Sequence, residues 1–280
     1  MPYKSRICVS AFCLLAAGGA QAEYTNNIML TGYWPPSNNM IRQFSTSPRQ
    51  NPDGWMGQNW ESRGYDIYSY FPEFPGGLGK GVGNFEVDYQ DTSEDFWRFV
   101  ENVHPVAIIT FGRGSYGRIW EVEWRQRNLE EWIDDYEEPF QPTPSPPDSS
   151  VPADYIRYSS LPMQSIVDAV NAAHDEINLN AFIDETGFAG GFLCEYVAYH
   201  GTWYHDLHSE PSDSYWNVAA GHIHVGANVG TRAATIATEI TLRELITYVD
   251  TQIPEPSTAV LLLLGLTVSS LGRRLRLPSG

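Results

Sequence analysis

The chain has 280 residues, with 34 acidic and 17 basic side chains and a net charge of −17 at pH 7. This acidic balance argues against a nucleic-acid partner, because phosphates are neutralised by Lys and Arg. Hydrophobic residues make up 42% of the sequence, which is enough for a real core. The length suits one α/β domain or at most two small ones.

The first 22 residues predict a secretory signal peptide. Lys4 and Arg6 form its basic start, residues 9–20 are apolar, and Ala20-Gln21-Ala22 is a small-residue cleavage site. The mature chain would then begin at Glu23, and its globular domain would cover residues 23–252. The alternative interpretation is an N-terminal helix that is buried in the fold.

Short apolar runs alternate with helical patterns through the rest of the chain. We expect strands at residues 28–33, 85–87, 106–112, 179–183 and 220–225, and helices at residues 93–104, 161–173, 194–200 and 233–249. Residues 35–65 and 139–152 have loop composition. The continuous apolar run at 106–111 is typical of a strand that is buried on both faces, as in a parallel sheet. The alternation therefore predicts an α/β fold with a mostly parallel sheet.

Cysteine usage singles out one residue. Cys8 and Cys13 lie in the predicted signal peptide, so the mature chain would keep Cys194 alone. Exported proteins normally pair their cysteines, and a lone thiol indicates either a reactive group or a buried inert one. Cys194 follows Gly-Gly-Phe-Leu and opens a predicted helix, whose N-terminus stabilises a thiolate and an oxyanion. No zinc-type cysteine spacing is present, and we expect neither a metal nor a cofactor.

A nucleophilic cysteine needs a base, and the base needs an orienting acid. His222 and His224 lie in the predicted buried strand 220–225, at the end of which α/β sheets place their sites. We expect their side chains, which alternate along the strand, to face opposite sides of the sheet. Composition does not choose between the two imidazoles.

Separated blocks of this sequence occur in the order known from one enzyme family. They are residues 30–35 (Leu-Thr-Gly-Tyr-Trp-Pro), the strand and glycine-rich stretch 105–128, residues 158–162 (Tyr-Ser-Ser-Leu-Pro), residues 190–196 and residues 220–225. Together they span residues 28–250 and resemble the pyroglutamyl-peptidase I family of cysteine peptidases. The resemblance implies a phosphorylase/hydrolase-like three-layer sandwich, with helices on both faces of the central sheet.

The resemblance also implies roles for individual residues. Cys194 would be the nucleophile, His224 the general base and later acid, and Glu123 the group that orients the imidazole. The reaction would remove an N-terminal pyroglutamate from a peptide substrate through an acyl-enzyme, without a cofactor. His222 falls on an apolar position of the family and would be structural. The residues that would line the substrate pocket are Tyr33, Trp34, Phe192 and Leu193.

Several positions depart from the family pattern. Tyr33 and Pro36 stand where the family has two Phe that hold the ring, Trp124 replaces an Arg after the catalytic acid, and Gly226 replaces a Pro. These changes affect substrate specificity more than the triad. One alternative is therefore a non-catalytic extracellular binding or matrix protein that kept the fold. Another is a Cys-His-Glu acyl-transfer enzyme, such as an amidohydrolase, that acts on a different N-terminal group.

The C-terminal residues 253–280 predict a second targeting signal. Pro254-Glu255-Pro256 precedes the apolar run 259–271, which is short for a bilayer span, and three arginines follow it. This order resembles the PEP-CTERM sorting signal of Gram-negative bacteria. It implies an exosortase-type processing enzyme as a partner, transient insertion into the inner membrane, and an extracellular, outer-surface or matrix destination. The alternative is a plain membrane anchor that leaves the domain facing the periplasm.

The family resemblance implies one further partner. Members of the pyroglutamyl-peptidase I family often assemble as dimers or tetramers, so a homo-oligomer is an expectation. The inserted loops at residues 35–83 and 202–217 could block such an assembly.

Overall fold

The computed structural model describes residues 24–253 of the chain. The predicted signal peptide and the predicted C-terminal sorting segment lie outside these residues. No helix within residues 24–253 combines the length and the hydropathy that crossing a bilayer requires.

The described residues form ten strands and six helices. The strands are β1 (Asn27–Gly32), β2 (Asp66–Tyr70), β3 (Pro72–Glu73), β4 (Val82–Gly83), β5 (Ala107–Arg113), β6 (Ile119–Glu123), β7 (Arg125–Arg127), β8 (Ile156–Tyr158), β9 (Asn180–Asp184) and β10 (Ala219–Val225). The helices are α1 (Ser37–Met40), α2 (Tyr89–Val103), α3 (Met163–Ala172), α4 (His174–Ile177), α5 (Leu193–Leu207) and α6 (Thr231–Gln252).

Six of the strands form one central sheet in the order β2-β1-β5-β10-β6-β9. Strands β2, β1, β5 and β10 are mutually parallel, whereas β6 pairs antiparallel with β10 and parallel with β9. Strand direction therefore reverses between β10 and β6. This junction brings the carboxyl end of a buried parallel strand beside an antiparallel neighbour, and the candidate site lies there.

Helices cover both faces of the sheet and give the predicted three-layer α/β sandwich. Side chains alternate across the sheet, so Ile28 and Leu30 pack with α1, α3 and α6, while Met29 packs with α2 and α5. On β5, Ile108 and Ile109 are both fully buried, one on each face. Burial of an isoleucine side chain is worth about 1.5–3 kcal/mol, which explains why this central strand is apolar throughout.

Six predicted elements are confirmed with shifted ends. The predicted strands 28–33, 106–112, 179–183 and 220–225 are β1, β5, β9 and β10, and the predicted helices 161–173 and 233–249 are α3 and α6. The predicted helix 93–104 begins earlier, at Tyr89, because the carboxylate of Asp88 accepts the backbone N–H groups of Gln90 and Asp91 at 2.9 and 3.0 Å. The predicted helix 194–200 continues to Leu207 as α5.

The predicted strand at residues 85–87 is wrong. Phe85 has a left-handed backbone with φ of 55°, and residues 84–88 form a turn and a bend. The side chains of Phe85 and Val87 are nevertheless buried against α2 and α5, so the apolar pattern indicated burial and not an extended chain. Strands β2 and β6 were not predicted, because polar residues interrupt both of them.

Candidate active site

One face of the sheet, the face covered by α5, carries the polar side chains of the site. On β10, His222 and His224 both point to this face, beside Ala220, whereas Ile223 and Val225 point to the opposite core. The two imidazole rings lie 4.7 Å apart between centroids. The prediction that they face opposite sides is wrong, because residues two positions apart in a strand share a face.

The acid comes from the neighbouring strand β6. The antiparallel register places Glu123 opposite His222, and Glu121 opposite His224. Glu123 nevertheless reaches diagonally to His224, where its Oε1 accepts a hydrogen bond from Nδ1 at 2.7 Å. Glu121 is farther away, with its Oε2 3.9 Å from the same nitrogen. Because Nδ1 donates to a carboxylate, the other ring nitrogen, Nε2, is left to face the rest of the site.

Cys194 is the second residue of α5. Phe192, the residue just before this helix, has extended backbone. Within residues 24–253 it is the sole cysteine, and its side chain is partly exposed. Its Sγ and one ring nitrogen each of His222 and His224 lie within 4.8 Å of one another. The first N–H groups of a helix have no intrahelical partner, so they point toward any anion that forms beside this sulfur.

Gly112 on β5 makes room for this arrangement. A Cβ atom at residue 112 would lie 2.6 Å from Sγ of Cys194 and 2.9 Å from both Nε2 of His222 and Cδ2 of His224. Any larger residue would therefore overlap the three side chains. In the sequence this glycine is marked only as part of a family block, and the register of β5 beside β10, which pairs it with His224, shows what it does.

Charge in the site favours an imidazolium at His224. Burial by itself would lower the pKa of His224, but interactions with Cys194 and Glu123 outweigh burial and raise this pKa to about 10. At neutral pH the ring therefore holds two protons. The structure thus brings the predicted Cys194, His224 and Glu123 together in the order sulfur, imidazole, carboxylate.

Replacing Glu123 with Gln should lower the pKa of His224. The amide keeps an oxygen near Nδ1 but removes the negative charge that favours the imidazolium, an effect that is typically about 1–3 pH units. NMR titration of the His224 ring in both proteins measures the change. Glu121→Gln is the matched control and should produce a smaller change, since Glu121 is the more distant carboxylate. Equal titration of His224 in wild type and Glu123→Gln would contradict the pairing.

Glu195, the residue after Cys194, is buried in the first turn of α5 and was not predicted as part of the site. Its side chain is 0% exposed, and its Oε1 accepts the backbone N–H of Arg127. Burial raises the pKa of Glu195 to about 8, so that it is mostly protonated at neutral pH. Its position directly after the predicted nucleophile was the one sequence signal for it.

Glu195→Gln should stabilise the fold at high pH and leave it unchanged at low pH. Below about pH 4.5 the carboxyl is protonated in both folded and unfolded chains. Between pH 4.5 and about 8 the unfolded chain ionises first, so wild type loses stability as pH rises. The variant does not lose this stability, which amounts to about 5 kcal/mol. Denaturant unfolding near pH 4 and pH 9 checks this; equal curves for both proteins near pH 9 would contradict it.

Three aromatic side chains stand near the start of α5. Trp34 stacks on Phe192 with ring centroids 6.1 Å apart, and Tyr136 meets both rings edge-on at 6.5 Å. The indole N–H of Trp34 donates to the carbonyl of Gly79 at 2.9 Å, which fixes the orientation of the ring. Trp34 and Phe192 were predicted pocket residues. Tyr136 was missed, because it lies in the long connection between β7 and β8 and no motif marks it.

Two of the predicted pocket residues lie in the core. Leu193 is 1% exposed and packs among the core residues beneath α5. Its side chain therefore does not line an open pocket, and this part of the prediction is wrong. Tyr33 is 3% exposed, and its hydroxyl is 2.7 Å from that of Thr92. Its ring belongs to the same core cluster as Leu193 and does not line an open pocket.

A cleft runs from Trp34 along the end of β5. Its lining comprises Trp34, Arg113, Gly114, Ser115, Tyr116 and Ala227. Arg113 follows Gly112 directly, and its Nε is buried without a hydrogen-bond partner among residues 24–253. Trp124, which stands where the resemblance expects an arginine, instead packs on Tyr158 with ring centroids 5.2 Å apart. Arg113 is therefore the cationic side chain in this cleft.

Similarity to known proteins is found among solved structures and concerns the fold. No protein-family model and no curated protein sequence matches this chain. Among solved structures, the pyrrolidone carboxyl peptidase of Thermococcus litoralis is similar, with a TM-score of 0.56 and 16% identity over 82% of this chain and 99% of that one. The pyroglutamyl peptidase I of Bacillus amyloliquefaciens has a TM-score of 0.56 and 15% identity over 79% of this chain and 95% of that one.

A third solved structure, the pyrrolidone carboxyl peptidase of Pyrococcus furiosus, has a TM-score of 0.55 and 13% identity over 80% of this chain and 99% of that one. Nearly the whole of each neighbour is covered, so the similarity is to the complete domain and not to a common βαβ fragment. The described part of this chain has the α/β fold of the pyroglutamyl peptidases.

Proposed function

We propose that this chain is a cysteine peptidase that removes pyroglutamate, or a related N-terminal group, from peptides. The observation that carries the proposal is the juxtaposition of Cys194, His224 and Glu123 at the N-terminus of α5, with the His224–Glu123 hydrogen bond at 2.7 Å. Nucleophile, proton carrier and orienting acid are the three parts that acyl transfer by a thiol needs. The similarity of the fold to pyroglutamyl peptidases supports the choice of substrate class.

In the first half of the reaction, the thiolate of Cys194 attacks the acyl carbonyl carbon of the N-terminal residue and forms a C–S bond. The negative charge that develops on the carbonyl oxygen is stabilised by the free N–H groups of the first turn of α5. The imidazolium of His224 donates its proton to the departing amine as the C–N bond breaks. A thioester and a shortened peptide result.

In the second half, neutral His224 takes a proton from water, and the hydroxide attacks the thioester carbonyl. The C–S bond breaks, free pyroglutamate leaves, and the proton restores the imidazolium beside the thiolate. Glu123 accepts the hydrogen bond from Nδ1 throughout and holds the ring in the orientation that presents Nε2 to sulfur. Proton transfer by a positioned group of this kind typically contributes about 100- to 10,000-fold to the rate.

The aromatic group of Trp34, Tyr136 and Phe192 suits the uncharged, flat lactam ring of pyroglutamate. The ring needs apolar contact and has no charge to neutralise, and stacked aromatic faces supply that contact at little entropic cost. The remainder of the peptide would extend along the cleft beside Arg113, whose guanidinium can contact carbonyl oxygens of the chain.

A set of aminoacyl-aminomethylcoumarin substrates tests the proposal. We expect the purified mature chain to hydrolyse the pyroglutamyl compound with a kcat/KM at least about 100-fold above that for the glutamyl, prolyl and alanyl compounds. The glutamyl compound is the sharpest comparison, because it differs from the lactam by ring opening and charge. A higher rate with another N-terminal group would assign that group as the substrate. No turnover of any compound would overturn the proposal and favour a binding protein.

We also propose that the protein is exported and that its C-terminal segment directs it to the cell exterior, as residues 1–22 and 253–280 indicate. An internal epitope in an exposed loop, followed by cell fractionation and mass spectrometry, would test this. We expect extracellular or surface-bound protein that lacks residues 1–22. Cytoplasmic protein with an intact N-terminus would contradict export.

A further inference from the structure

We propose that Cys194, His222 and His224 form a site for a Zn²⁺ ion, and that zinc bound there blocks the nucleophile. Binding of zinc is independent of the proposed peptidase function, whereas inhibition by zinc rests on it. The sequence analysis predicts no metal in this chain, because no zinc-type cysteine spacing is present.

The donor set is the one that zinc prefers. Sulfur of a cysteine and nitrogens of two histidines are three of the four ligands of many tetrahedral zinc sites, with water as the fourth. The three donor atoms lie within 4.8 Å of one another. In a zinc complex such atoms stand about 3.5 Å apart, given Zn–S and Zn–N bonds of about 2.3 and 2.0 Å. Side-chain shifts on the order of 1 Å therefore close the site.

His222 is held in the form that binds a metal. The hydroxyl of Thr110 donates to the carbonyl of Gly221 at 3.3 Å, so its oxygen is left to accept from Nδ1–H of His222 at 2.8 Å. This arrangement assigns the proton to Nδ1 and the free lone pair to Nε2. Orientation of a ligating imidazole by a hydrogen bond from its far nitrogen is usual in metal sites.

Within the described residues, no other group occupies Nε2 of His222. The side chain is 0% exposed, and this nitrogen has no hydrogen-bond partner among residues 24–253. It is aimed at the space above Gly112, toward Sγ of Cys194. A buried nitrogen lone pair without a partner costs free energy, and coordination to a metal would recover it.

The other two ligands are also placed to bind, and zinc displaces the proton that Nε2 of His224 carries at neutral pH. Glu123 orients His224 as Thr110 orients His222, so both imidazoles have an outer hydrogen-bond partner. Cys194 is partly exposed, which gives an ion a path from solvent. A sulfur that is bonded to zinc cannot attack a carbonyl, so the ion would hold the enzyme in a reversible inactive state.

Cobalt titration of the purified mature chain tests the site directly. Co²⁺ stands in for Zn²⁺, and we expect both a thiolate-to-cobalt charge-transfer band and visible bands of tetrahedral cobalt, which Zn²⁺ then abolishes. His222→Phe, which places an apolar ring at this position, should weaken binding at least about 100-fold. The matched control is His208→Gln, at the other end of α5, which should bind as wild type does. His222→Gln serves in place of the Phe variant if that one fails to fold.

A second measurement connects the site to activity. Zinc inhibition of pyroglutamyl hydrolysis, expressed relative to the metal-free rate of each protein, should require at least about tenfold more zinc in His222→Phe than in wild type. Equal cobalt binding by wild type and His222→Phe would overturn the zinc site. Peptidase activity that requires zinc would overturn the proposed inhibition. A cobalt spectrum with thiolate ligation in a protein without peptidase activity would overturn the proposed function and leave the site intact.

Discussion

Cys194→Ser should lower kcat/KM for a pyroglutamyl substrate by at least about 10⁴-fold, the scale seen when a triad nucleophile is removed. A serine hydroxyl is not ionised at neutral pH, so the thiolate that the proposed mechanism uses would be lost. His224 would then have to remove a proton during the attack itself. Initial rates with the pyroglutamyl-aminomethylcoumarin substrate measure the effect.

The fold should tolerate this change, since the side chain is partly exposed and oxygen is smaller than sulfur. Cys194→Ala is the companion variant and should lose as much activity, because neither side chain supplies a thiolate. Thermal unfolding of both should stay within a few degrees of wild type. A serine variant that retained activity within tenfold of wild type would exclude Cys194 as the nucleophile.

Gly112→Ala should displace the side chains of Cys194, His222 and His224, because residue 112 lies directly against them on β5. The added methyl would lie 2.6 Å from Sγ of Cys194 and 2.9 Å from rings of both His222 and His224, all of them closer than van der Waals contact. Displacement of reacting groups by about 1 Å can lower a rate by about 100-fold, and overpacking typically costs about 1–3 kcal/mol of stability. We therefore expect at least about a 100-fold fall in kcat/KM together with a lower unfolding midpoint.

Gly76→Ala is the matched control for this variant. A Cβ at residue 76 meets no atom within 4 Å, so the same chemical change should leave both rate and stability as in wild type. Full activity in Gly112→Ala would show that the sulfur and the imidazoles do not meet above β5. Loss of activity with unchanged stability would still agree with the geometry, because the side chains could move apart without unfolding.

The regular parts of the fold could be predicted because their signals are local. The continuous apolar runs of β5 and β10 mark strands buried on both faces, and the apolar periodicity of α6 marks one helical face. Strand β6 carried no such signal. Its sequence Ile-Trp-Glu-Val-Glu alternates apolar and acidic residues, which is typical of a surface strand, and here the acidic positions face the site.

The residues of the site could be predicted from the sequence, whereas the distances between their side chains could not. A glycine-rich segment before a helix, a histidine in a buried strand and a glutamate in a family block indicated Cys194, His224 and Glu123. The direction of β6 decided that Glu123 reaches His224 diagonally, while Glu121 stands opposite it. The tertiary structure decided that Leu193 is buried in the core and that the ring of Phe192 stacks on Trp34.

The amino-acid sequence by itself determined the alternation of strands and helices, the thiol of Cys194 at a helix start and the candidate acid and base. Only the tertiary structure decided which of these side chains meet. Glu123 and His224 are 101 residues apart in the chain, and Thr110 and His222 are 112 apart. Contacts at such separations depend on strand order and register, which are set by the packing of the whole core and not by any local pattern.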